Sequence, residues 1–312
     1  KYPEYIRKKS KLLLTKFPRA IEEFDLSGFD LVISNSNSFA HGVITKPSTL
    51  HICYCHSPIR YIWDWHHEYL KENDISFNKI GITIRTVLSN IRLWDYYSSF
   101  RPDVWIANSK NVQNRIKKYY RQNSHIIYPA SDILFDRASD NYQDYYLIVS
   151  RLSPYKKIDL AVKVFNSNGK KLIIAGEGSE LNKLKEMAND NIEFKGYLPA
   201  HEIKKLLLGC KAFIFPGEED FGLTPIEAMS AGKPIVAYNK GVVTETVIEN
   251  STGVFFSEQS SESLNDAINK LDSNYHLFKP DICHARAEEF SKNKFAKVFS
   301  DYIDQQYKYF LN

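Results

Sequence analysis

The second half of the chain alternates short apolar runs with amphipathic stretches so regularly that few architectures can hold it. The runs YYLIVSR (145–151), KKLIIAG (170–176), NIEFKGY (191–197), KAFIFPG (211–217) and PIVAYN (234–239) are nearly continuous in apolar residues. That is the pattern of strands covered on both faces. Helical patterns at 158–165, 181–188, 202–208 and 226–231 separate them, with short loops. Such alternation predicts a parallel, doubly wound sheet. Ligands of such sheets bind beyond the carboxyl ends of the strands. Chemistry is therefore expected just after Ser150, Ala175, Phe194 and Phe215.

The first half reads less regularly. DLVISNS (30–36), LHICYCH (50–56) and DVWIANS (103–109) have the content of three buried strands, with helices over 80–99 and 112–120. HIIYPASD (125–132) reads as a strand leaving the first domain, and Pro129 with the polar stretch 131–143 marks a boundary. The expected domains are 1–130, 131–284 and a terminal helix over 285–312. In that helix Phe295, Val298, Phe299, Tyr302, Ile303, Tyr307 and Phe310 form one stripe, suited to packing back on the first domain.

Composition narrows the class. A chain of 312 residues with 43% hydrophobic and 25% charged residues is a folded protein of about two domains. Its 41 basic and 37 acidic residues leave a net charge of +4, too balanced for a nucleic-acid binder. Cys53 and Cys55 would share one strand face, and with Cys210 and Cys283 they show no zinc spacing. Free buried thiols in a reducing compartment are expected. No apolar run approaches the roughly 20 residues of a membrane span, and no signal-peptide pattern is visible at the start, KYPEYIRKK.

The segment GEEDFGLTPIEAMSAGKP (217–234) is the most informative. Thr224, Pro225 and Glu227 match a capping box, with a hydroxyl N-cap, Pro at N1 and Glu at N3. Phe221, Gly222 and Leu223 would present amides at the helix start, an anion site suited to a diphosphate. Glu219, eight positions before Glu227, sits in an acidic trio with Glu218 and Asp220. Arg151 and Lys156 supply cations for phosphate oxygens. Residue by residue the bland alternatives stand: Glu227 as a cap, Glu219 as a loop carboxylate, Arg151 and Lys156 as solvated loop side chains.

Taken together, these pieces resemble a known family. Arg-Leu-x-x-x-Lys, a strand ending in the Gly-rich turn AGEGSE, and then two Glu with seven residues between them in EDFGLTPIEAMSAGKPIVA resemble the retaining glycosyltransferases of family 4. The likeness is dense over 145–256. FDLSGFDLVISNSNSFAHGV, HICYCHSPIRYIWD and IANSKNVQNRIKKYY are similar to one branch, the mannosyltransferases of bacterial surface-polysaccharide assembly.

The resemblance implies the GT-B fold: two Rossmann-like, doubly wound parallel-sheet domains facing a cleft, the first on the acceptor side and the second binding the sugar nucleotide. It implies that Glu219 bonds hydroxyls of the donor sugar and Glu227 the ribose. Arg151 and Lys156 neutralise the diphosphate, and the amides of Phe221, Gly222 and Leu223 complete its cradle. Gly176 lies in the donor-side turn, while Tyr197 and Leu198 hold the base. His56 stands near the donor sugar, with a strand-end turn as its structural alternative. Arg60, Trp63 and Asp64 are acceptor candidates.

The reaction implied is hexosyl transfer with retention, without a metal or other cofactor, from a GDP- or UDP-sugar, GDP-mannose favoured. The acceptor is a saccharide, and a polyprenyl-linked one would bring the enzyme to the cytoplasmic membrane face. A sugar-nucleotide epimerase and a non-catalytic sugar-nucleotide-binding scaffold are the alternatives. Two departures stand out. Lys157 occupies the family's Gly position. The family's opening strand and Gly-rich loop have no match, so at least one strand–helix–strand unit of roughly 30 residues or more is expected to be missing from the first domain, which puts the activity of this polypeptide in question.

Overall fold

The computed structural model describes residues 14–132 and 134–312. It divides into two compact units: residues up to Tyr128 together with Val298–Asn312, and Pro129–Lys297.

The first unit holds α1 (Phe17–Glu22), β1 (Leu31–Ser36), β2 (Leu50–Cys55), α2 (His66–Glu72), α3 (Lys79–Ser98), β3 (Val104–Ala107), α4 (Lys110–Arg115) and β4 (His125–Ile126). Its strands are all parallel, in the order β1-β2-β3-β4. Every residue of β2 is buried, as a central strand requires. β1 departs from the expectation of a fully buried strand: it is an edge strand among the described residues, and Ile33 is 43% exposed. β4 is far shorter than the 125–132 run suggested. Ile127 still donates to Ala107 O, but the chain leaves the sheet at Pro129, which has no N–H to pair. α4 starts two residues before its apolar pattern because the Ser109 hydroxyl accepts from Val112 N (3.1 Å). A π turn (Ile116–Tyr120) follows, ending at Arg121 in the left-handed conformation (φ 59°).

Cys53 and Cys55 do share one face, packed with Trp105, Val112, Ile116 and Tyr120. All four cysteines are buried and free. Burial pushes the thiols of Cys53, Cys210 and Cys283 up to about 12, which keeps them protonated and unreactive. From the terminal helix, Tyr302 stacks on His125 (4.3 Å) and Phe299 meets Tyr54 edge-on.

At the centre of this unit lies a buried polar knot. Asp95 of α3 accepts hydrogen bonds from Trp63 Nε1 (2.7 Å) and Tyr120 OH (2.9 Å) on one oxygen. Its other oxygen faces His41 Nε2 at 3.5 Å. His41 also contacts Ser98 Oγ (3.0 Å) and Ser36 Oγ (3.4 Å). Burial outweighs the two donors and raises the Asp95 carboxyl to about 7; burial lowers His41 to about 3.

The second unit carries β5 (Tyr146–Val149), α5 (Ile158–Asn168), β6 (Leu172–Ala175), α6 (Leu181–Met187), β7 (Ile192–Gly196), α7 (Ala200–Gly209), β8 (Ala212–Phe215), α8 (Leu223–Ser230), β9 (Ile235–Tyr238), α9 (Val243–Thr246), β10 (Gly253–Phe256), α10 (Ser261–Ser273) and α11 (Pro280–Glu288). The final helix α12 (Lys292–Leu311) begins here, and from Val298 it belongs with the first unit. The sheet is six-stranded and parallel, ordered β10-β9-β8-β5-β6-β7. The alternation therefore continues through β10 and α10, beyond the last strand the sequence pattern marked. The polar stretch after Ser131 is pinned as well, since buried Lys233 donates to the carbonyls of Ser139 (3.1 Å) and Asn141 (2.8 Å).

The buried pair sets a pH signature. Between pH 3.8 and 6.5 the unfolded pair holds its single proton on His41, and the folded pair holds it on Asp95. Equal proton counts give no slope in that window. Above it the folded unit keeps a proton the unfolded chain has lost, so stability falls as pH rises toward 7. Below it the unfolded chain binds a second proton, so stability falls as pH drops. Asp95→Asn removes one side of this balance. Stability should then decline as pH falls through 6.5, by up to about 1.4 kcal/mol per pH unit. Urea unfolding of wild type and variant across the window checks it; parallel profiles would refute the assignment.

Candidate functional site

The strand order of the second unit fixes where a ligand can bind. From β5 the chain winds outward through β6 and β7, then returns to β8 on the other side of β5 and winds away through β9 and β10. The loops after β5 and β8 therefore diverge over a crevice at the carboxyl edge, the switch point of an open α/β sheet.

These two loops approach closely because Gly217 has no side chain. A Cβ there would lie 2.9 Å from Lys156 Cα and 3.0 Å from the carbonyls of Lys156 and Tyr155. The approach brings Lys156 Nζ and a Glu219 carboxylate oxygen into direct contact, with their side chains 12% and 16% exposed. Glu219 is braced from behind by Gly241 (φ 75°), whose amide neighbour Val242 N donates to Glu219 O (3.1 Å). The acidic trio is thus answered by a lysine ion pair. Arg151 lies exposed after β5; among the described residues its side chain makes no hydrogen bond or ion pair and is available to an anion.

Lys157 adopts φ 54°, ψ 35°, a left-handed conformation that ordinarily favours glycine. The departure from the family pattern therefore keeps the turn and accepts backbone strain. The third loop packs against the first: Gly176 N donates to Gly196 O (2.7 Å), and a Cβ on Gly176 (φ 135°) would sit 1.9 Å from Ser150 O. Tyr197, 76% exposed, and half-buried Leu198 follow β7 on the same edge.

The expected capping box does not form. α8 starts at Leu223 with Gly222 as N-cap and no side-chain cap. Thr224 and Pro225 already lie inside the helix, because Gly222 packs on the Phe215 ring and sets the turn two residues earlier. The N-cap Gly222 supplies no side-chain cap, so the helix start suits an anion. Glu227 is turned inward and nearly buried, where Ser131 Oγ donates to its Oε1 (2.9 Å). Burial raises its carboxyl, and Asp132 adds to the rise.

In the first unit, His56 lies just past the carboxyl end of β2, where its Nε2 donates to Asn35 Oδ1. Burial lowers its pKa, favouring the neutral ring. The acceptor candidates are structurally engaged. Trp63 stacks on Tyr119 (4.9 Å) and donates to Asp95; Asp64 pairs with Arg115 (3.1 Å) and lies 3.7 Å from Arg60. Among the other histidines, His41 and His51 are fully buried structural residues, His51 bonded to Ser34 Oγ (2.8 Å). Among the described residues no group of three His, Cys, Asp or Glu is placed to hold a metal.

Sequence reasoning missed Ser131, Gly241 and Asn35. Each acts through a partner distant in sequence, and only the turn-forming Lys-Gly after PIVAYN gave any sign.

Two parallel-sheet α/β units, with a polar crevice at the switch point of the second, define the class as GT-B. The chain belongs to the family of glycosyl transferases group 1, which matches residues 130–293. A glycosyltransferase of Methanocaldococcus jannaschii is 24% identical over 63% of this chain and 56% of its own length. A GDP-mannose-dependent alpha-(1-6)-phosphatidylinositol monomannoside mannosyltransferase of Mycobacterium tuberculosis is 30% identical over 39% of this chain and 37% of its own. The Anabaena protein HepE, solved in complex with UDP, superposes with a TM-score of 0.64 at 18% identity, covering 94% of this chain and 82% of that one. The chain spans about half the length of the curated relatives it matches.

The two loop positions predict opposite effects. Gly217→Ala should cost about 1–3 kcal/mol, because its Cβ must displace backbone. Lys157→Gly should stabilise by up to about 1 kcal/mol by relieving the left-handed strain. Chemical denaturation of both variants tests this, and a neutral Gly217→Ala would mean the loops are not in contact.

Proposed function

We propose that this protein is a retaining, metal-independent hexosyltransferase that moves a sugar, mannosyl favoured, from a nucleoside-diphosphate donor to a saccharide acceptor. The observation that carries this reading is the Lys156–Glu219 contact at the switch point, beside a helix start without a side-chain cap and an exposed Arg151. Arg151, Lys156 and the amides from Phe221 to Leu223 would take the diphosphate. Glu219 would take sugar hydroxyls, Glu227 the ribose, and Tyr197 and Leu198 the base. His56 would face the donor sugar, and Arg60, Trp63 and Asp64 would shape the acceptor side.

In the transfer, the bond from the anomeric carbon to the leaving phosphate oxygen breaks and one to the acceptor oxygen forms on the same face. The acceptor proton passes to the departing diphosphate. The protein's part is positioning and charge stabilisation. A GDP-sugar is supported by the name of the mycobacterial relative, and a UDP-sugar by the ligand of the Anabaena structure. Family membership favours a transferase over an epimerase or a silent scaffold. A lipid-linked acceptor would place the enzyme at the cytoplasmic membrane face.

Calorimetry with GDP and UDP, with and without EDTA, tests the site. One nucleotide should bind, and EDTA should not matter. Glu227→Ala should weaken binding by about 1.5–3 kcal/mol. Glu219→Ala should leave affinity for the free nucleotide equal or higher, because it frees Lys156 from its partner. Binding of neither nucleotide, or binding lost with EDTA, would sink the proposal.

Kinetics test the leaving-group role. Lys156→Ala should lower kcat about a hundredfold or more, with a smaller change in KM for the donor. Lys157→Ala should be mild. A Lys156→Ala enzyme with normal turnover removes this lysine from the mechanism.

A further inference from the structure

The loop after β6 carries an unpaired carboxylate. Among the described residues the Glu177 side chain makes no hydrogen bond or ion pair. Its acidic neighbours on this side of the sheet are all answered: Glu180 pairs with Lys183 (2.9 Å), Glu193 of β7 contacts Lys195, and Glu219 contacts Lys156. A cation stands close by in the chain and is not used. Leu152 N donates to Glu177 O (2.8 Å), which brings the backbone next to Arg151 against that of Glu177. Both side chains are exposed, yet the guanidinium and the carboxylate do not pair. Two unlike charges kept apart on adjoining loops can address different parts of one ligand.

Gly196 (φ 65°) determines what lies beside that carboxylate. Gly176 and Gly178 are bare because the chain is crowded: a Cβ on them would lie 1.9 Å from Ser150 O and 2.1 Å from Leu152 O. A Cβ on Gly196 would meet nothing nearer than Glu177 Oε1, at 4.0 Å. The space over Gly196 is therefore open, with the Glu177 carboxylate at its side. Tyr197 follows at once and keeps most of its ring in water. An exposed aromatic ring next to a free carboxylate, at the carboxyl edge of the sheet, offers stacking and an edge contact to a flat polar ring.

We propose that Glu177 reads the base of the donor nucleotide and selects guanine. The proposal rests on the donor-site reading given above and specifies its base. Guanine presents two adjacent donors on one edge, N1–H and the exocyclic N2–H, spaced for the two oxygens of a carboxylate. Each donates to one oxygen of Glu177, while Tyr197 takes the face of the ring. Uracil has a single N3–H between two carbonyls, and adenine has an amine beside a bare ring nitrogen. Either base sets a lone pair against one carboxylate oxygen, so it is rejected by repulsion as well as by the missing bond. Arg151 is left for the diphosphate, and the two opposite charges serve the two ends of one nucleotide.

Calorimetry of the whole chain with GDP, inosine diphosphate and UDP tests this. GDP should bind about tenfold or more tighter than UDP, with inosine diphosphate, which lacks the N2 amine, in between. Glu177→Ala should lower GDP affinity about tenfold or more and leave UDP affinity equal or higher, which also shows that the site is still folded. Glu177→Gln is the sharper variant. Its amide oxygen can accept from uracil N3–H while its NH2 donates to the neighbouring carbonyl, so UDP should gain as GDP loses. Wild-type preference for UDP overturns the proposal, and so do variants that weaken both nucleotides alike. Binding of both without preference overturns it while leaving the donor-site reading intact, whereas binding of neither sinks that reading and this one with it.

Discussion

The candidate site depends on one close approach of backbone to backbone. β5 and β8 are neighbours in space though three helices and two strands separate them in sequence. The loops that leave them come together only because Gly217 offers no Cβ to the turn at Tyr155–Lys156. Everything polar at this edge follows from that contact. It sets Lys156 against Glu219 and lets Gly241, just past β9, pack on the backbone of the same residue. A ligand placed here meets side chains from three loops whose positions are fixed by the strands beneath them.

The first unit is organised differently, around a buried carboxyl rather than a loop contact. Trp63, Tyr120 and His41 come from three separate segments and converge on Asp95. Burying that group stabilises only if its partners are in place, so the knot ties α3 to those three segments. Trp63 is committed to it by both hydrogen bond and stacking. An acceptor would therefore meet the outer edge of this indole, with its donor already used.

The sheet was largely legible in the sequence because nearly continuous apolar runs are a direct image of strands buried on both faces. β10 and α10 escaped because β10 offers only three consecutive apolar residues, Val254 to Phe256, before a polar stretch. The capping box misled for a physical reason. Thr-Pro-x-Glu is a sound local signal, yet packing of Gly222 on Phe215 starts the helix earlier and draws Glu227 to Ser131. The types and spacing of Lys156 and Glu219 were legible, but their contact was not, since it rests on strand order. Asp95 was invisible for the same reason: a lone acid in an amphipathic pattern carries no mark of its three distant partners.

The Lys156–Glu219 contact has a consequence for charge. A lysine held ready for a diphosphate, and mostly shielded from water, would carry an uncompensated charge in the empty site. Pairing with Glu219 removes that cost while keeping the ammonium in position. On the proposed function, donor binding would become an exchange. A diphosphate carries more negative charge than one carboxylate and would compete for the lysine, and the released Glu219 would turn to the hydroxyls of the sugar attached to it. A nucleotide without its sugar would supply only half of that exchange, leaving Glu219 without a new partner. A contact between two opposite charges can thus favour the intact donor over the spent nucleotide, using no residue beyond the pair itself.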